Sequence, residues 1–98
     1  MKIYLSGPMT GLTEFNYPAF AKAAHALRAE GHFVYNPQEY DYDGPLDKFP
    51  LREAFSEYCD FICNDADALY ILPNWENSKG VKAEKSLAEC LGLDIVYL

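Results

Sequence analysis

Two rhythms of apolar residues divide the chain, one short and β-rich, the other spaced three and four apart. Lys2 to Ser6 is a brief apolar run that ends at Gly7-Pro8, which marks a strand and its exit turn. Pro18 suits a first helical turn. Phe20, Ala23, Ala24 and Leu27 then recur at helical spacing until Gly31 stops the helix. Phe33 to Tyr35 reads as a short second strand closed by Asn36-Pro37. Gln38 to Pro50 is polar, Tyr-rich and turn-rich, as expected of a surface loop able to serve as a lid. Leu51 to Asn64 has the spacing of a second helix, with Phe55, Tyr58, Cys59 and Ile62 on one face. Ala66 to Leu72 is almost unbroken apolar sequence, the mark of a central strand covered on both sides. Pro73 to Ser78 is a loop, Lys79 to Leu91 a third helix, and Asp94 to Leu98 a last strand.

The resulting order, β-α-β-α-β-α-β, implies right-handed crossovers and a parallel sheet. The expectation is a three-layer α/β fold of the Rossmann or flavodoxin-like kind. It has four parallel strands in the order 2-1-3-4, helices on both faces, and residues 1–98 in a single domain. Ligands of such sheets bind at the carboxyl ends of the strands. The loop from Gly7 to Asn16 and the loop from Pro73 to Gly80 are therefore expected to face one crevice.

Composition narrows the possible partners. A net charge of −7 argues against a nucleic-acid polymer, because phosphate backbones are held by clustered Lys and Arg. It leaves room for a small nucleotide, whose phosphate a few backbone N–H groups can hold. No apolar run has the length of a membrane span, and Met1 to Leu5 gives way at once to a Gly-Pro turn rather than a signal peptide. Cys59, Cys63 and Cys90 lack zinc spacing and read as reduced, partly buried thiols of a cytoplasmic protein. Tyr42, Phe49, Phe55 and Tyr58 are more aromatic surface than so small a core needs. A homodimer or higher oligomer with the 51–64 helix in the interface is therefore expected.

Glu84 carries the most information. It sits three residues after Val81 and three before Leu87, in the middle of the apolar stripe completed by Ala88 and Leu91. An inward carboxylate is costly unless it is paired, neutralised or placed at a cleft. Two readings follow: a stripe edge, with Glu84 in solvent or paired with Lys82 or Lys85, or a carboxylate aimed into the crevice. In the second case it is a nucleophile for an anomeric carbon or a base for water. Asn77 or Ser78 caps this helix, and Gly80 allows close backbone approach. Such a helix N-terminus is also an anion site. The run Ser6-Gly7-Pro8-Met9-Thr10-Gly11 fits neither a dinucleotide fingerprint nor a P-loop, and is either turn chemistry or a backbone cradle for ribose. Trp75 on its loop either stacks on a base or covers the sheet edge. His25 and His32 lie away from the crevice. There is no Ser/His/Asp or Cys/His constellation and no metal cluster, so neither metal nor cofactor is expected.

Tyr4-Leu5-Ser6-Gly7-Pro8-Met9-Thr10-Gly11 and Ser78-Lys79-Gly80-Val81-Lys82-Ala83-Glu84 resemble the two signature stretches of the nucleoside 2-deoxyribosyltransferase superfamily. That group includes the 2′-deoxynucleoside 5′-phosphate N-hydrolases. The chain is most similar to short, largely phage-encoded members that share the Leu-Pro-x-Trp-Glu-x-Ser-Lys-Gly string, and the likeness runs over nearly the whole chain. The resemblance implies that Glu84 attacks C1′ and displaces the base, with Tyr4 as the active-site tyrosine beside it. It implies that Gly7 and Gly11 form the sugar-binding turn; Ser6, Met9, Thr10 and Asn16 of the same loop, with Trp75, Ser78 and Gly80 across the crevice, are the other expected substrate contacts. Ser78 matches a hydroxyl that holds the 5′-phosphate in the hydrolases.

The family's second carboxylate comes from the helix before strand three. Asp60 is the candidate, although Cys59 falls on the strict register. Pro8 and Thr10 stand where the hydrolases place Ser and Arg, and the chain stops at strand four where longer relatives lend residues to a neighbouring subunit's site. The expected activity is cleavage or transfer at the N-glycosidic bond of a (deoxy)nucleoside or nucleoside 5′-monophosphate. The alternative is a catalytically silent module that binds or sequesters a nucleotide.

Overall fold

The computed structural model describes Met1–Leu98 and contains one four-stranded parallel sheet. Its elements are β1 (Lys2–Ser6), α1 (Tyr17–Ala29), β2 (Phe33–Tyr35), α2 (Leu51–Asn64), β3 (Ala68–Ile71), α3 (Lys79–Cys90) and β4 (Asp94–Tyr97). The strand order is β2-β1-β3-β4, the order expected from the sequence, with β1 and β3 central.

Period-two alternation in β1 sorts the core into two layers. Ile3 and Leu5 point to one face, where they pack with Phe20, Ala24 and Leu27 of α1 and with Val34 and Leu72. Tyr4 points to the other face and joins Ala54, Tyr58, Phe61 and Ile62 of α2, Leu69 and Ile71 of β3, and Val81 and Ala88 of α3. Ser6, two residues after Tyr4, lies on that second face and is fully buried. So β1 presents two hydroxyls, one pleat apart, to the helices that cover it.

Three details depart from the sequence expectation. The buried stripe of α2 is Ala54, Tyr58, Phe61 and Ile62, which turns Phe55 and Cys59 away from the core centre. The helix α3 stops at Cys90, and Leu91, its C-cap, is exposed where the chain turns at Gly92. Of the cysteines, Cys59 alone is half-buried, while Cys63 and Cys90 are exposed. No helix is long and apolar enough to cross a membrane.

The segment between β1 and α1 was legible only as a loop. It holds Glu14, Phe15 and Asn16 in succession at φ 52°, 56° and 62°. A left-handed backbone costs an L-residue about 1–2 kcal/mol, so three in a row must be fixed by their surroundings. The Gln38 side-chain amide donates to the Phe15 carbonyl, and the Asn16 amide donates to the Pro8 carbonyl at 2.9 Å. These two bonds lock the loop after β1 to itself and to the loop after β2.

Candidate functional site

The loops at the carboxyl ends of β1, β2 and β3 enclose a cleft of about 1350 Å³. Glu84 lies at its inner end, 5% exposed. It sits on the face of α3 that packs on β1, so burial follows from the stripe it interrupts. Tyr4 Oη donates to Glu84 Oε2 at 2.6 Å, and Ser6 Oγ donates to Glu84 Oε1 at 2.6 Å. Both carboxylate oxygens therefore accept a hydrogen bond from β1. No cation pairs with the group: Lys85 instead reaches Glu89 at 3.4 Å. The stripe-edge reading, with a lysine partner, does not hold.

Burial pushes the Glu84 carboxyl up to about 7, against the hydrogen bonds from Ser6 and Tyr4, which pull it down. Burial is also the first cause that raises the Tyr4 hydroxyl well above the usual phenol range, with the charge of Glu84 second. Tyr4 thus stays a hydrogen-bond donor. A carboxyl balanced near neutrality, held at two points and open to a cleft, is suited to attack on carbon or to proton transfer.

Most of the first signature stretch reaches the cleft. Gly7, Met9 and Thr10 line it, while Ser6 sits behind Glu84 as its hydrogen-bond donor. A Cβ on Gly7 would lie 2.7 Å from Leu72 Cδ1 and 3.0 Å from Phe20, so the backbone there must approach the core closely. Gly11 is exposed, with φ 81°, and serves the turn rather than the cleft wall. Asn16 is also outside the wall and acts through its bond to Pro8. Ser78 and Gly80 line the cleft, and Ser78 Oγ accepts from the Val81 N–H at 3.3 Å, so Ser78 is the N-cap of α3.

Two further expected site residues lie away from the cleft. Asp60 is exposed and accepts at 2.8 Å from the Asn64 amide. One residue along a helix is about 100° of rotation, and it is Cys59 that lines the cleft. Trp75 covers the β4 edge, 5.7 Å from the Tyr97 ring and with Lys85 Nζ 5.8 Å from its centroid. Its sheet-edge reading is the one the structure supports.

The largest part of the cleft wall went unassigned in the sequence. The 38–50 loop and α2 supply Tyr40, Tyr42, Phe49, Phe55 and Tyr58, with Phe15 from the left-handed segment. Their signal was aromatic excess in a small chain, which pointed to an interface. These rings are instead half-buried or buried, and they meet edge to face: Tyr40 with Phe49 at 5.7 Å, Tyr42 with Phe49 at 5.3 Å. Arg52 and Lys79 also line the cleft. A shallower depression of about 610 Å³ lies at the β2 edge. Four of its polar side chains are paired with one another, Arg28 with Glu39 and Tyr35 with Glu57.

Fold and site together define a three-layer α/β protein with a buried carboxylate at the strand ends, set in an aromatic cleft. The chain belongs to the family described as Domain of unknown function (DUF4406), whose model matches residues 1–97. It has the nucleoside 2-deoxyribosyltransferase fold. A 2-deoxyribosyltransferase from the psychrotolerant bacterium Bacillus psychrosaccharolyticus, described as a biocatalyst for nucleoside synthesis, superimposes with a TM-score of 0.78 at 26% identity. That alignment covers 99% of this chain and 71% of the other. No curated protein matches the sequence.

Proposed function

We propose that residues 1–98 form one catalytic domain that cleaves or transfers the N-glycosidic bond of a (deoxy)nucleoside or nucleoside 5′-monophosphate. Glu84 is the nucleophile at C1′. The observation that carries this reading is the buried Glu84 carboxylate, gripped by Tyr4 and Ser6 at the inner end of the cleft. Gly7, Met9 and Thr10 border the sugar, Ser78 and Gly80 border its 5′ side, and the Tyr40 and Phe49 wall receives the base. Likeness to a nucleoside-transferring enzyme over 99% of the chain supports the bond type. Incubation with a panel of nucleosides and monophosphates, followed by chromatography for free base, tests the reading. Release of no base from any of them refutes it.

A silent nucleotide-binding module is the second reading, favoured by one observation: Asp60 faces solvent, so the cleft has a single carboxylate. It predicts nucleotide binding without turnover.

Tyr4→Phe separates a catalytic Glu84 from a structural one. A hydrogen bond to a charged group is worth about 1.5–3 kcal/mol, equivalent to roughly one to two pH units. Loss of the Tyr4 donor raises the Glu84 carboxyl further, so the rising limb of the rate–pH profile moves up by that amount. At pH 7, where the wild-type carboxyl is already half protonated, the rate falls about 5- to 50-fold, and it recovers at alkaline pH. A profile of unchanged position would show that Tyr4 does not act through Glu84.

We further propose a homo-oligomer. The aromatics of α2 and the 38–50 loop face the cleft and core rather than solvent, and of the α2 face only Leu51, at its start, is a large exposed apolar residue; the exposed Val96, Tyr97 and Leu98 at the open edge of the sheet offer a second contact. Light scattering at tens of micromolar should give a dimer or larger species; a monomer removes this proposal.

A further inference from the structure

Of fifteen acidic residues in the chain, Glu84 is the sole carboxylate that lines the cleft. If it attacks C1′, it is not free to protonate the base. Displacement of a neutral base sends the C1′–N electron pair onto the ring nitrogen and makes an anion, which needs a proton as it leaves. The hydroxyl and thiol that α2 sets beside Glu84 are poor acids. Burial, then the charge of Glu84, raise both the Tyr58 hydroxyl and the Cys59 thiol above their ordinary values. Tyr58 Oη is also committed to the Pro37 carbonyl at 3.2 Å, and Tyr42 Oη to the Pro45 carbonyl at 2.6 Å.

The walls supply a second, independent observation. Tyr4, which bonds the carboxylate, is a buried core ring; beside it at 6.2 Å stands Tyr58, and from Tyr58 the rings that line the cleft run on to Tyr40 at 6.2 Å and to Phe49 at a further 5.7 Å. A carboxylate at the end of an aromatic wall attracts a flat cation, by charge and by cation–π contact. Arg52 and Lys79 stand ready for an anionic sugar phosphate in the same cleft.

We propose that the cleft accepts N-glycosides whose base is already a cation, such as a ribosyl pyridinium or a 7-alkylpurinium. The inference rests on Glu84 acting at C1′, as read above. Glu84 forms the C1′–O ester bond as the C1′–N bond breaks. The electron pair neutralises the ring, and the base departs uncharged with no proton supplied by the protein. Water then attacks C1′, frees the carboxylate and releases one proton to solvent.

Matched pairs test it on the wild-type chain at pH 7. These are guanosine 5′-monophosphate against its 7-methyl derivative, the same pair with deoxyribose, and nicotinamide mononucleotide against its dihydro form. Base release is measured by chromatography, with spontaneous loss subtracted using Glu84→Gln protein. General acid catalysis contributes about 10²–10⁴-fold. The cationic member should therefore exceed its neutral twin in kcat/KM by at least ~10²-fold in whichever pair is cleaved. An enzyme with an acid aimed at the base would level the pair, and a methyl on N7 would block that acid. A ratio below ~10-fold overturns the cationic-base inference and leaves the glycosidic reading intact. No cleavage of any member above the Glu84→Gln blank overturns the glycosidic reading, and this inference with it.

Discussion

Glu84→Gln should lose at least ~10³-fold in turnover, the scale seen when one member of a covalent catalytic unit is deleted. Binding of a nucleotide should change little. The amide keeps the outline of the carboxylate, and its carbonyl can still accept from Tyr4 or Ser6, but it cannot form a glycosyl ester. The NH2 group must donate where Oε1 or Oε2 accepted, so one hydroxyl of the Tyr4–Ser6 pair has to turn and become an acceptor. That rearrangement is local, because both hydroxyls rotate about single bonds. Turnover, affinity and melting temperature on the same two proteins discriminate three outcomes. A nucleophile gives lost turnover with retained binding. A silent module gives binding and no turnover in either protein. A structural carboxylate gives lost stability with unchanged activity.

Why Glu84 was legible in the sequence is a matter of period. A 3.6-residue stripe of Val81, Leu87 and Ala88 leaves the position between them inward, and the structure buries it. The partners were legible for a similar reason: residues two apart in a strand share a face, so Tyr4 and Ser6 arrive together beneath α3. The parallel direction of the strands followed from the alternation of elements, and the shared crevice from the strand ends.

What local spacing does not encode is the direction of a residue next to a stripe. Asp60 and Cys59 are adjacent in sequence, yet helix rotation sends one to solvent and the other to the cleft. Spacing alone gives no preference between them, and the carboxylate is the one that faces solvent. The aromatic wall was hidden for a different reason. Its rings come from three segments whose meeting depends on Phe15 being held in a left-handed turn by Gln38, a contact 23 residues apart that no propensity foretells. Trp75 shows the limit of reasoning from residue type alone: a large aromatic on a loop had two plausible surfaces, and the edge strand β4 took it.

The same burial that tunes Glu84 should be visible in the stability of the protein against pH. The carboxyl ionises near 4.5 in the unfolded chain and near about 7 in the fold. Between those values the native state binds the proton that the unfolded state has released, so stability falls as pH rises. Below the lower value both states are protonated and the penalty is absent; above the upper value it is complete. The difference of 2.5, at about 1.4 kcal/mol per pH unit, amounts to about 3 kcal/mol. Other carboxylates titrate in the same window, and Glu39, held low by its hydrogen bonds from Arg28, contributes with the opposite sign. Glu84→Gln cancels those shared terms. Urea denaturation of both proteins from pH 4 to pH 8 should show the variant gaining on the wild type by about 3 kcal/mol, with most of the gain between pH 5 and pH 7. Turnover runs the other way. The ionised carboxylate is the nucleophile, so kcat/KM of the wild type should climb through the interval in which its stability declines. A stability difference that stays flat across this range would mean that Glu84 is not desolvated in solution, and would remove the physical basis for its reactivity.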